Sequence, residues 1–85
     1  MLISRERECL KAIKGITEGG EFSKKRATRV AISRRMKVST EYVEYLCRRL
    51  EDRGFITGAP MRGYQLTEDG EAVYEYVQAH RDVWH

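Results

Sequence analysis

Between Thr28 and Gly54 two helical patterns follow one another across a turn of only a few residues. The first stretch is Thr28-Arg-Val-Ala-Ile-Ser-Arg-Arg-Met-Lys-Val38. Its helix runs roughly from Thr28 to Arg35 or Met36. Ile32 and Met36 face inward there, while Val30, Arg34 and Lys37 face outward on a 3.6-residue period. Met36-Lys-Val-Ser39 brings the chain round, with Val38 as the buried plug between the helices. Ser39 then caps a second helix, in which Val43, Leu46, Cys47 and Leu50 form an i, i+3, i+4, i+7 stripe. Gly54 ends that helix at the position that needs a positive φ.

The next segment reads as a hairpin. Phe55-Ile-Thr and Tyr64-Gln-Leu are its strands, and Gly58-Ala-Pro-Met-Arg-Gly63 is the loop. Pro60, the sole proline, falls where no ladder hydrogen bond is required. Helices flank this unit. The first starts after Ser4 as N-cap, with Glu6 and Glu8 in its first turn. It buries Leu10, Ile13 and Ile16, with Cys9 beside them, and ends at Gly19-Gly20. Phe22 to Ala27 holds a short edge strand around Phe22 or leads directly into the next helix. Thr67 caps the last helix, whose stripe is Val73, Tyr76, Val77 and His80, then Val83 or Trp84, with Tyr74 off it. The expected fold is α+β: a single domain over 1–85 with a three-helix core, a two-stranded β-hairpin and a C-terminal helix at about 68–84.

Charge is distributed unevenly. From Phe22 to Thr40 there are Lys24, Lys25, Arg26, Arg29, Arg34, Arg35 and Lys37 and no acid. From Thr67 to His85 the acids Glu68, Asp69, Glu71, Glu75 and Asp82 face Arg81 alone. A basic cluster beside an exposed helix is the footprint of a polyanion partner, although a solvated basic face has the same composition. No apolar run is long enough for a membrane span, and Met-Leu-Ile-Ser-Arg-Glu-Arg lacks the core of a signal peptide. The expectation is a cytoplasmic protein with no membrane partner. Cys9 and Cys47 belong to no metal or redox spacing and read as buried, reduced thiols.

Helix, turn, helix and hairpin in this order build the standard device for laying one helix into the major groove of DNA. The run from Thr28 to Gly70 resembles a winged helix-turn-helix transcriptional regulator of the broad MarR/PadR-like superfamily. The resemblance rests on Ile32-Ser-Arg-Arg-Met-Lys-Val-Ser39, on Tyr42-Val-Glu-Tyr-Leu-Cys-Arg-Arg-Leu-Glu-Asp-Arg-Gly-Phe-Ile56 and on Tyr64-Gln-Leu-Thr-Glu-Asp-Gly70. It covers about half of the chain and implies a helix-turn-helix at about 28–53 and a wing at about 55–66. The start of the recognition helix and Gly63-Tyr-Gln-Leu66 are also similar to regulators that sense iron–sulfur clusters. Those carry cysteines after the wing, and this chain has none there, so no cluster or other cofactor is expected. Two positions depart from the pattern. Lys37 stands where Gly is common in the turn, and Glu41 and Glu44 stand on or beside the face that would meet DNA.

What the resemblance implies is sequence-specific binding of double-stranded DNA; the aromatics of the last helix, too many for one thin domain to cover, either pack on the first helix or form with it the seam of a homodimer. Arg48 is the candidate for guanine O6 and N7. Thr40 and Tyr45 are candidates for bases or backbone, with Ser39 at the helix start. Arg49 and Lys37 would hold phosphates, and Arg34 and Arg29 would cross the backbone. Arg62 at the wing tip would enter the minor groove. Glu41 and Glu44 repel phosphate but can accept from cytosine N4. The alternative is a protein-interaction module that uses Glu41, Tyr42, Glu44 and Tyr45. No enzyme is expected, since no nucleophile has a nearby base. His80 and His85 are not spaced as a helical metal pair.

Overall fold

Helix α3 (Thr40–Asp52) is the element around which the others are arranged. Its stripe of Val43, Leu46, Cys47 and Leu50 is fully buried. Helix α1 (Ser4–Thr17) packs on it through Cys9, Leu10 and Ile13, and α2 (Arg29–Met36) through Ile32. Strands β1 (Ile56–Ala59) and β2 (Gly63–Leu66) pair antiparallel, with Ile56 opposite Leu66 and Ala59 opposite Gly63. Helix α4 (Glu68–Ala79) closes the domain against α1. The computed structural model describes residues 2–18 and 26–79. Gly19-Gly20, the basic residues Lys24 and Lys25, the expected strand around Phe22 and everything from His80 onward lie outside the described residues. The element order and the hairpin agree with the α+β winged arrangement expected from the sequence.

Local chemistry explains the boundaries. Thr28 Oγ1 accepts the Ala31 N–H at 3.2 Å, and Ser39 Oγ accepts the Tyr42 N–H at 3.2 Å, so both helices of the motif start on a hydroxyl cap. Lys37 takes the left-handed conformation, φ 61° and ψ 45°, that closes α2. Val38 is half-buried against the core rather than a sealed plug. Gly54, at φ 78°, ends α3, and the Phe55 N–H returns to the Leu50 carbonyl at 3.0 Å. Thr67 caps α4 by accepting the Gly70 N–H at 3.1 Å. A methyl group on Gly70 would lie 1.9 Å from the Phe55 carbonyl oxygen, so this crossing requires glycine.

Several expectations are corrected. Ser4 is the first helical residue of α1, and Ile3 holds the N-cap position. The Glu6 carboxylate accepts the Ile3 N–H at 3.0 Å, taking over the role assigned to Ser4. Strand β1 begins at Ile56 and reaches Ala59, while β2 begins at Gly63, so the loop shrinks to Pro60-Met-Arg62. The isolated bridge that enlarges the hairpin is at Ala27, whose carbonyl accepts the Tyr64 N–H at 2.9 Å. On α4 the assignments of two tyrosines exchange: Tyr74 packs on the core, and Tyr76 is 56% exposed. The reason is that α4 turns Gly70, Val73, Tyr74 and Val77 inward, an i, i+3, i+4, i+7 face. Lys14 of α1 fixes that face. Its ammonium contacts Glu71 at 2.6 Å and Glu18 at 2.7 Å and lies over the Tyr74 ring.

Candidate nucleic-acid interface

The buried stripe of α3 determines what the helix shows to solvent. Glu41, Tyr45 and Arg48 lie opposite the stripe and are exposed. Thr40, the first helical residue, is half-buried. Ser39 is exposed, with its hydroxyl already engaged as the cap. Tyr45 is 53% exposed, and its ring stacks on Tyr42 with centroids 6.2 Å apart and planes inclined by 15°. Among the described residues Arg48 makes no hydrogen bond or ion pair. The same holds for Arg34 and Lys37 at the end of α2 and for Arg62 in the wing loop. These four cations have their charge available to a ligand.

Two other expected contacts are already engaged within the protein. Arg29 Nη1 binds Glu44 Oε2 at 2.5 Å, joining α2 to α3. Glu44 is therefore paired, and Arg29 offers a phosphate only the guanidinium donors that this bond leaves over. Arg49 Nε donates to Glu6 Oε2 at 2.5 Å, and its guanidinium lies 5.7 Å from the centre of the Tyr45 ring. Arg53 Nη1 approaches the other Glu6 oxygen at 3.9 Å. Glu6 has no exposed surface. Burial pushes its carboxyl up, but the Arg49 hydrogen bond, the Ile3 N–H and the charges of Arg53 and Arg49 outweigh it and hold it below the ordinary carboxylate range. Glu6 looked in the sequence like an ordinary first-turn acid. Its burial, and its hold on Arg49, depend on how α1 crosses α3, which sequence spacing does not encode.

Arg35 is set apart from the other cations. Its guanidinium lies against α1 where Gly15 leaves room, since a methyl group there would meet Nη2 at 2.5 Å. The wing, by contrast, is tied to the motif. Pro60 O accepts the Arg29 N–H at 3.0 Å, and Ala27 O holds β2 through Tyr64. The Tyr64 phenol is 3% exposed, and burial pushes its pKa up to about 12. Cys9 Sγ and Cys47 Sγ lie 3.9 Å apart, both fully buried and both free. The neighbouring Cys9 thiol and then burial push the Cys47 thiol well up, so it stays protonated at neutral pH.

No family model matches the chain, and no curated protein matches it. Among solved structures the chain is similar to a MarR family protein of Mycobacterium tuberculosis, Rv2887, determined in complex with DNA. The TM-score is 0.74 at 22% sequence identity, over 92% of this chain and 54% of that one. The chain thus spans about half the length of that protein. At this identity the likeness concerns the backbone fold. The domain has the winged helix-turn-helix fold of a MarR family protein.

Proposed function

We propose that the domain is a sequence-specific, double-stranded DNA-binding transcriptional regulator, with α3 in the major groove and the wing at the backbone or minor groove. The observation that carries this reading is Arg48. It stands exposed, and unpaired among the described residues, on the outer face of a helix whose other side is locked into the core. Unpaired Arg34, Lys37 and Arg62 flank the same motif and supply phosphate-binding charge. That the Mycobacterium protein was solved with DNA supports the reading at the level of the fold. Arg49 and Arg29 contribute to phosphate binding through the donors that their bonds to Glu6 and Glu44 leave over.

We assign the dimer contact to the first and last helices, beside which Ile3 and Tyr76 are exposed apolar groups. Action on DNA in the cytoplasm goes with this reading. No described helix is long and apolar enough to cross a membrane. Exposed Tyr45, stacked on the partly buried Tyr42, favours one rival, a protein-interaction surface on the same helix.

The test is fluorescence anisotropy of a labelled random-sequence duplex across a salt series. Micromolar binding is expected, with log affinity falling linearly against log salt. Arg48→Ala then weakens a selected site more than a random duplex. Absence of binding at low salt overturns the DNA reading and favours the protein-interaction surface.

A further inference from the structure

Of the four carboxylates of α3, the two nearest its N-terminus, Glu41 and Glu44, are not equivalent. Glu44 holds Arg29 at 2.5 Å and brings no net charge to the surface. Glu41 is exposed, and among the described residues no cation pairs with it; its side chain meets Thr40 Oγ1 there, at 3.4 Å. Glu41 is the second residue of α3, after the Ser39 cap and Thr40. The N-terminal residues of a recognition helix are those that reach base edges. Glu41 also shares a face with Tyr45, four residues on, and Arg48, seven residues on.

An unpaired carboxylate is harmless on a solvated surface but repels the phosphates of a duplex. In the major groove it is compensated only by a donor. Guanine and thymine present acceptors and a methyl group there. Adenine presents N6–H beside the acceptor N7, which sets lone pair against lone pair. Cytosine presents N4–H with no acceptor on the same base. Resting on the DNA-binding reading, we infer that Glu41 is a specificity-determining residue that takes the N4–H of a cytosine, rewarding that base and rejecting the other three. Discrimination then comes as much from repulsion as from attraction. Arg48, with its guanidinium free, reads a different base on the same helix face.

An acid near a helix N-terminus also stabilises the helix through its dipole, and that role makes no demand on the DNA. The experiment separates the two. Duplexes with a randomised core are selected with the wild-type protein, Glu41→Ala, Glu41→Gln and Arg48→Ala, and the recovered site and its single-base variants are then titrated. The wild type is expected to fix a cytosine at one position, with a cost of about tenfold in affinity when it is replaced. Glu41→Ala makes that position degenerate and binds random duplex more tightly than the wild type. Glu41→Gln shifts it toward adenine, whose N6 and N7 match an amide. Arg48→Ala keeps the cytosine and loses selection elsewhere in the site. Unchanged cytosine selection by Glu41→Ala overturns the inference while leaving DNA binding intact, as does a wild type that binds duplex with no preference. A wild type that binds no duplex at low salt overturns the DNA-binding reading itself, and this inference with it.

Discussion

Lys37 shows how one residue can be held in a conformation its side chain disfavours. Its φ of 61° is the left-handed region, the only positive φ at a non-glycine residue among those described. A β-carbon there costs about 1–2 kcal/mol, of which the greater chain entropy of glycine would offset roughly half. Lys37→Gly is therefore expected to stabilise the fold by about 0.5–1 kcal/mol, read as a Tm higher by a few degrees. The same change removes an unpaired cation next to α3, so duplex affinity falls and the salt slope flattens by about 0.7–0.9. Opposite movements of Tm and affinity identify lysine as retained for its charge. A lower Tm would show that the turn depends on something other than φ.

At the scale of elements, the ion pairs between helices govern how the surface is presented. Glu6 ties the first turn of α1 to Arg49 and Arg53 on α3. Its carboxyl titrates below its ordinary value of 4.5 in the folded protein. A depressed folded pKa contributes stability that is present above the unfolded value and is lost as pH falls through the folded one. Glu6→Gln is thus expected to lower Tm by roughly 5–10 °C at neutral pH, with the gap from wild type closing below pH 4.5. Thermal melts from pH 7 to pH 2 check this, and a gap independent of pH would assign the loss to packing instead of charge. The helix boundaries around the turn could be read from the sequence because their signals are local: Ser39 as a cap, Gly54 as a stop, and the four-residue stripe of α3. The pairings Glu6–Arg49 and Arg29–Glu44 could not, because they join residues 43 and 15 positions apart that only packing brings together. Tyr74 and Tyr76 were exchanged for a similar reason. Both fit the apolar composition of α4, and the line along which α1 crosses it selects Tyr74.

For the molecule as a whole, stability and assembly are linked. The chain is short, and α1 and α4 leave Ile3 and Tyr76 exposed, 50% and 56% respectively. If these helices form the dimer seam, folding is second order in chain, and Tm rises by about 4 °C for each tenfold increase in protein concentration. A Tm independent of concentration would make the folded unit a monomer. The hydrogen bonds at the base of the hairpin have a further consequence. Pro60 is bound to the start of α2, and Tyr64 to Ala27 just before it, so the β-loop and the helix pair share a common foundation. The backbones that carry Arg62 and Arg48 are consequently braced against one another through α2, like the two arms of a caliper. On the DNA-binding reading, a duplex touched by both is read at that span, and an operator lengthened by one base pair between the two contacts is expected to bind less tightly.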